Sequence, residues 1–335
     1  MTWLGLDIGG ANLKVADGQG FALSRPFAMW REPEGLCDCL RALLRECPPA
    51  DRLAVTMTGE LADCFPTRAH GVSAIVEAVV EAAGGRHVTF YRTDGCFADA
   101  EAACQQPELV ASANWHALAS FVARNVDGRG ILIDVGSTTA DIIRLRNGQP
   151  DPTGLTDTER LLSSELVYCG VWRTPIAGIV QTVPWRTRNC PVAKEMFATT
   201  LDVYLMLGDI TEDPQSSNTA DGRPATRAAA QARLARMICA DRDSFHVEDA
   251  LATANCVADK LQATLISALS TVSEAMPEPP QSIVVSGAGE FLAARVARRV
   301  FPDSNVVSLA QRLGNDVSTC APAHAVASLA EETCR

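Results

Sequence analysis

The stretch Thr2-Trp3-Leu4-Gly5-Leu6-Asp7-Ile8-Gly9-Gly10-Ala11-Asn12-Leu13-Lys14-Val15-Ala16-Asp17-Gly18 decides how this chain is read. A short apolar run ends on Asp7, turns through Gly9 and Gly10, and returns over residues 13–16 to Asp17-Gly18. Apolar runs of strand length around a glycine turn predict a β-hairpin. The pattern recurs from Gly130. Ile131-Leu132-Ile133-Asp134 goes out, Val135-Gly136-Ser137-Thr138-Thr139 turns, and Ala140-Asp141-Ile142-Ile143-Arg144-Leu145 returns to Asn147-Gly148. In register, Asp7 matches Asp134, Gly9 matches Gly136, Asn12 matches Thr139 and Lys14 matches Asp141. Two hairpins with one internal spacing, each opening a half of the chain, predict a duplicated architecture.

Outward from the hairpins, periodicity predicts a strand over 53–57 and helices over 34–46, 71–83 and 114–125, the last with Ser112 as N-cap. Residues 150–225 are rich in Thr, Pro, Arg and Asp and read as long loops and short helices of a substrate-facing insertion. Helices are predicted over 225–240 and 247–276. In the second, Leu251, Ala254, Val257, Ala258, Leu261, Leu265 and Leu269 form a core-packing stripe, and the prolines of 277–280 end it. Ser282–Ser286 reads as a buried strand that passes through Gly287-Ala288-Gly289 into a helix over 290–299. A last helix over 323–332 is placed to cross back. The expected organisation is a first lobe over 1–128, a second over 129–320 and a C-terminal segment over 321–335.

Composition agrees with two lobes. The chain has 335 residues, long for one core, with 47% hydrophobic and 21% charged residues. No apolar run approaches the ~20 residues of a membrane span, and residues 1–7 hold no basic or signal-like segment, so no membrane partner and a cytoplasmic location are expected. A net charge of −11 argues against a nucleic-acid partner. The twelve cysteines are scattered and Cys37 and Cys39, the closest pair, are misplaced for a zinc knuckle; buried free thiols are expected instead. Lysine occurs at positions 14, 194 and 260 alone. A homo-oligomer is compatible with all of this.

Gly9 and Gly10 in one turn, and Gly136, Ser137, Thr138 and Thr139 in the other, can each aim backbone N–H groups at a phosphate, with Asn12 and the hydroxyls as added donors. Asp7 and Asp134 end strands at the same edge. Carboxylates beside a phosphate need a cation between, so Asp7, Asp134 and Asp141 suggest Mg²⁺ held largely through water. Lys14 can place its charge on the same phosphate. Gly287 and Gly289, before a helix, offer a third anion or nucleotide turn. The bland alternative is ordinary hairpins whose aspartates cap strand ends.

In this order the three turns resemble the two phosphate loops and the adenosine loop of the actin-like ATPase and sugar-kinase (ASKHA) superfamily. That implies a two-lobed α/β fold with a phosphate-bearing small molecule in the cleft. Longer strings narrow the likeness: Glu165-Leu166-Val167-Tyr168-Cys169-Gly170-Val171-Trp172-Arg173-Thr174-Pro175, Thr56-Met57-Thr58-Gly59-Glu60-Leu61-Ala62-Asp63, Ala111-Ser112-Ala113-Asn114-Trp115, Ala198-Thr199-Thr200-Leu201-Asp202-Val203-Tyr204 and Thr219-Ala220-Asp221-Gly222-Arg223-Pro224. With these, nearly the whole chain resembles the hydantoinase/oxoprolinase-like branch tied to tetrahydromethanopterin-linked one-carbon metabolism.

The resemblance implies a transferase of methanofuran-type cofactor biosynthesis. It would join an aminomethyl-furanmethyl diphosphate donor to the phenol oxygen of a γ-glutamyl tyramine- or tyrosine-type acceptor, releasing pyrophosphate. Asp141, then Asp202, are the candidate catalytic carboxylates. Arg173 with Thr174 are candidates for the acceptor, where an Arg beside Trp172 otherwise stacks at a surface. Asp221 and Asp202 would ligand Mg²⁺ or bind the donor's ammonium, or cap loops. Glu60 faces either the cleft or solvent, and His116 reads as packing. An ATP-dependent kinase, an ATP-dependent amidohydrolase and a non-catalytic nucleotide switch remain as alternatives, with ATP as ligand under those alone.

Overall fold

The first hairpin grows into a six-stranded sheet in a computed structural model that describes residues 2–126 and 128–333. Met1, Asp127, Cys334 and Arg335, which fall within the expected lobe and segment limits, lie outside the described residues. The first sheet contains β1 (Trp3–Ile8), β2 (Asn12–Ala16), β3 (Ala22–Pro26), β4 (Arg52–Met57), β5 (His87–Tyr91) and β6 (Phe97–Ala98), in the order β3-β2-β1-β4-β5-β6. The second contains β7 (Arg129–Val135), β8 (Ala140–Arg146), β9 (Gln149–Pro150) and β10 (Leu166–Val167), then, beyond a separate hairpin of β11 (Thr182–Trp185) and β12 (Arg188–Pro191), β13 (Ser282–Ser286) and β14 (Asn305–Ser308). Its order is β10-β8-β7-β13-β14.

The two orders are one pattern. In each, a central strand has an antiparallel hairpin partner on one side and two parallel strands on the other. All six residues of β1 are buried, as a strand covered on both faces requires. This duplicated sheet is the two-lobed α/β architecture of actin-like ATPases and sugar kinases.

The helices in chain order are α1 (Leu36–Arg45), α2 (Arg68–Ala83), α3 (Ala100–Gln105), α4 (Pro107–Val110), α5 (Asn114–Ala123), α6 (Asp157–Leu162), α7 (Ile176–Ile179), α8 (Thr200–Leu207), α9 (Arg227–Arg236), α10 (Val247–Glu274), α11 (Glu290–Val300), α12 (Leu309–Leu313), α13 (Asn315–Thr319) and α14 (Ala321–Thr333). One core joins α1 and α2 to the first sheet. Another joins α8, α9, α10 and α11 to the second and includes Ala254, Val257, Leu261, Leu265 and Leu269 of the stripe. Leu251 and Ala258 pack at its margin.

Between the lobes α5 and α14 lie against each other. Trp115, Leu118 and Val122 of α5 pack with Leu132, Ile143 and Leu145 of the second sheet, whereas Val326 and Leu329 of α14 pack with Trp3 and Ala54 of the first. A Cβ on Gly5 would stand 1.9 Å from the Ala323 carbonyl oxygen, so only glycine lets α14 approach β1 this closely.

Three expectations need correction. Residues 150–225 are less loop than expected: α8 is buried along nearly its whole length and belongs to the second core. Ser112 is not the cap of α5, whose N-cap is Ala113. Of the eleven described cysteines, all free, only Cys320 is buried.

Candidate active site between the lobes

The two hairpin turns have the same local wiring. The Gly9 N–H donates to the Asn12 carbonyl at 3.0 Å, and the Gly136 N–H to the Thr139 carbonyl at 2.8 Å. Among the described residues, the N–H groups of Gly10, Ala11, Ser137 and Thr138 donate no hydrogen bond. Carbonyls of the turns are used for support: Gly10 accepts from Met29, and Ser137 from Trp172 and Arg173. Each turn is therefore braced through its carbonyls, while these amides stay without a protein partner. Both open on one cavity of about 430 Å³, lined by Gly10 and Ala11 from the first lobe and Thr138 and Thr139 from the second. Its remaining wall includes Trp30, Thr58, Asp63, Ser112, Asp141, Asp157, Arg160, Tyr168 and Arg173.

At the turns' strand ends, Lys14 faces Asp7 in the first hairpin and Asp141 faces Asp134 in the second, at equivalent registers. Burial raises Asp7, against the Lys14 charge, and one of its oxygens, Oδ1, is buried without a hydrogen-bond partner. Burial pushes Asp134 up to about 6, against a 2.6 Å hydrogen bond from the Ser286 hydroxyl. Asp141 is also raised, because desolvation outweighs the neighbouring Arg160.

Asp7, Asp134 and Asp141 do not form a ready-made three-carboxylate metal site. No group of three or more His, Cys, Asp or Glu among the described residues could hold a metal ion. Asp141 instead pairs with Arg160, not with Arg144, which reaches Thr153, Asp151 and Glu165. What fits Mg²⁺ is narrower. Asp7 has its orphaned buried oxygen, Asp134 has a second oxygen, and Mg²⁺ commonly takes one or two carboxylates plus water and substrate phosphate oxygens.

A chain of charges crosses the cleft wall. Arg160, 1% exposed, stacks 4.1 Å above the Trp115 ring and lies 3.6 Å from Asp157. Asp157 meets Arg68 of the first lobe at 3.0 Å and accepts from Ser112 at 2.7 Å. Ser112 also lies 2.9 Å from Glu60, which is neither in the cleft nor in solvent but 0% exposed behind its wall. Sequence reasoning passed over Arg160, Asp157 and Arg68. A signal was present: Thr156 and Glu159 form a capping box, which starts α6 and puts Asp157 and Arg160 on one face.

Other expected site residues stand elsewhere. Asp202 binds Arg233 at 2.7 Å and caps α8, and burial raises it to about 6. Asp221 holds the same Arg233 at 3.0 Å. Neither lines the cavity. Thr174 bonds Gly170 and supports the loop behind Ser137. Arg173 does line the cavity, half-buried, stacked 4.4 Å over Trp30 of the other lobe rather than on Trp172. In the third turn, the Gly289 N–H is committed to the Val135 carbonyl at 2.8 Å, and a Cβ on Gly287 would stand 2.4 Å from that oxygen. This turn braces the second hairpin. Asn12 and Lys14 flank the first turn, outside the residues that line the cavity. His116 is half-buried against Tyr91 and Ser120, as packing requires.

Comparison with known proteins assigns the sequence to a family. The profile of the hydantoinase/oxoprolinase family covers residues 51–333. The chain is 32% identical, over 98% of its length and 97% of the relative's, to the (4-{4-[2-(gamma-L-glutamylamino)ethyl]phenoxymethyl}furan-2-yl)methanamine synthase of Methanocaldococcus jannaschii. It is also 32% identical to the Methanococcus vannielii protein of that name, over 63% of this chain and 95% of that one. A nucleotide-free acetone carboxylase structure superposes with a TM-score of 0.57 at 12% identity, over 98% of this chain and 70% of that chain. With one such profile spanning most of its length and a synthase relative spanning nearly all of it, the chain belongs to the hydantoinase/oxoprolinase family.

Proposed function

We propose that the protein is a transferase of methanofuran-type cofactor biosynthesis. It joins the CH₂ of an aminomethyl-furanmethyl diphosphate to the phenol oxygen of a γ-glutamyl tyramine- or tyrosine-type acceptor and releases pyrophosphate. The observation that carries this reading is that both turns, with matched free amides, border a single cavity that also presents two aromatic rings, Trp30 and Tyr168, two arginines, Arg160 and Arg173, and the carboxylates of Asp63, Asp141 and Asp157. The name shared by the relatives describes a phenoxymethyl-furan, an ether of this kind.

The chemistry suits these residues. A furfuryl cation is stabilised by the ring oxygen, so the bond to diphosphate can break early, and the demand on the site is to neutralise the leaving group. The amides of Gly10, Ala11, Ser137 and Thr138 are donors fixed before the reaction begins. Donors matched to charge that grows during bond breaking lower the barrier more than they strengthen ground-state binding. Asp7 and Asp134 would hold Mg²⁺, which adds cationic charge to the leaving diphosphate. Arg173 would bind a carboxylate of the acceptor, and Trp30 and Tyr168 would give flat apolar walls for the furan and phenol rings. A free phenol titrates near pH ~10, so its proton needs an acceptor in the cavity.

The test is a nucleotide-free incubation of synthetic donor and acceptor with Mg²⁺, following pyrophosphate. Release that needs both substrates and no ATP is the expected result. ATP consumption with phosphorylation of a hydroxyl, or ATP-driven ring opening, would replace this reading with a kinase or an amidohydrolase.

A further inference from the structure

Ser112 stands between two carboxylates. Its hydroxyl oxygen is 2.9 Å from Glu60 Oε1 and 2.7 Å from Asp157 Oδ2. A serine hydroxyl carries one hydrogen, and an ionised carboxylate only accepts. One contact is the serine's own donation; the other needs a proton on the carboxyl side. The surroundings say which. Glu60 is fully buried, its Oε2 has no partner, and Arg68 comes no nearer than 4.0 Å. Burial raises Glu60 against the opposing effects of Ser112 and Arg68, with Asp157 adding to the rise. Asp157 borders the cavity and faces two cations, Arg68 at 3.0 Å and Arg160 at 3.6 Å, with Asp141 behind Arg160. The proton therefore belongs on Glu60 and the negative charge on Asp157.

The backbone supports a fixed role for this serine. Ser112 has φ 49°, left-handed and unfavourable for a residue with a side chain. Such strain persists where surrounding structure enforces it and gathers at functional sites.

We propose that Asp157 is the base that takes the phenol proton, and that Ser112 and a protonated Glu60 are positioning residues that aim one hydrogen bond at it. This rests on the transferase reading above. In the step, the donor's C–O bond breaks with its electron pair leaving on the diphosphate. The phenol oxygen bonds to the CH₂, and its proton passes to Asp157. Asp141 is less suited, since its side chain is 10% exposed beneath its ion pair with Arg160, whereas that of Asp157 is 22% exposed at the cavity.

The test uses the full chain with synthetic donor, phenolic acceptor and Mg²⁺. Asp157→Asn should lower kcat by ~10²–10⁴-fold, the usual loss of a general base, with donor Kd retained. Glu60→Ala should lower kcat, and Glu60→Gln should rescue most of it, because an amide N–H donates to Ser112 as a protonated carboxyl does. In wild type, kcat should fall on the alkaline side as Glu60 ionises, and that fall should be missing in Glu60→Gln. Infrared spectra should show a protonated-carboxyl band in wild type that Glu60→Gln lacks. Near-wild-type kcat in Asp157→Asn, or equal damage from Glu60→Gln and Glu60→Ala, overturns the proposal while leaving the transferase reading intact. Failure of the wild type to form any ether overturns both, and the infrared band, which needs no turnover, then still decides the protonation of Glu60.

Discussion

Asp141 and Arg160 form a buried ion pair in the cavity wall, and the same guanidinium lies over the ring of Trp115. The second hairpin, α6 and the interlobe helix α5 meet at this one cation. Asp141 occupies the place that Lys14 holds in the first hairpin, and the Arg160 side chain returns the missing positive charge from another part of the chain.

Asp141→Asn should therefore act first on stability. Removing one partner of a buried ion pair costs about 3–5 kcal/mol, an upper limit here because Asn keeps a carbonyl acceptor and Arg160 keeps Asp157. Urea unfolding should show a lowered midpoint, and turnover by the folded protein should fall less than in Asp157→Asn. A stable Asp141→Asn protein with turnover reduced as far as in Asp157→Asn would return Asp141 to the role of base.

Asp202 should prove structural. Asp202→Ala leaves the fully buried Arg233 with Asp221 alone, again at a cost of about 3–5 kcal/mol. Denaturant unfolding should reveal the loss, while turnover per folded molecule stays close to wild type. A folded but inactive Asp202→Ala protein would contradict this.

Gly170 sits against the second turn, where a Cβ would stand 2.4 Å from the Ser137 carbonyl carbon and the Thr138 nitrogen. Backbone cannot yield to that contact without displacing the free amides. Gly170→Ala should weaken pyrophosphate binding, measured by titration calorimetry, far more than it weakens binding of the isolated acceptor. Unchanged pyrophosphate affinity would show that the second turn does not hold the diphosphate.

Asp134 gives a pH signature. Its folded-state value, about 6, lies above the ordinary 3.8, so the folded chain holds this proton where the unfolded chain has released it. Asp134 thus favours folding as pH falls from about 6 towards 3.8 and costs stability above that window. Asp134→Asn should melt higher than wild type at neutral pH, with the gap closing as pH falls through the window. Mg²⁺-dependent pyrophosphate affinity of the wild type should also weaken below about 6, where Asp134 is protonated. A gap independent of pH would remove the raised titration.

The sequence carried the hairpins and their duplication, because strand length, glycine turns and register are local. It also carried the stripe of α10, a periodic signal. β3 and β5 escaped notice although glycines precede both (Gly18 and Gly20, Gly84 and Gly85), since each is a run of only five residues with a weak apolar pattern. The charge chain was largely illegible for another reason. Arg68 and Ser112 are far in sequence from Asp157 and Arg160 and meet them only when α6 of the second lobe docks beside α2 of the first. Asp202 and Asp221 looked reactive because they are acids within the strings that carry the family resemblance, yet the partner that consumes them, Arg233, comes from a helix that tertiary packing alone brings in. Arg173 was read beside its sequence neighbour Trp172, whereas its ring partner is Trp30, across the cleft.

If the cavity makes an aryl–furfuryl ether by displacing diphosphate, the acceptor's phenol oxygen must end up in the ether. With a heavy-oxygen label on the acceptor's phenol and no nucleotide present, the product is isolated and weighed by mass spectrometry. The expected product is an ether that retains the label in full, with unlabelled pyrophosphate released in equal amount. An ether that has lost the label, or no ether without ATP, would contradict this reaction.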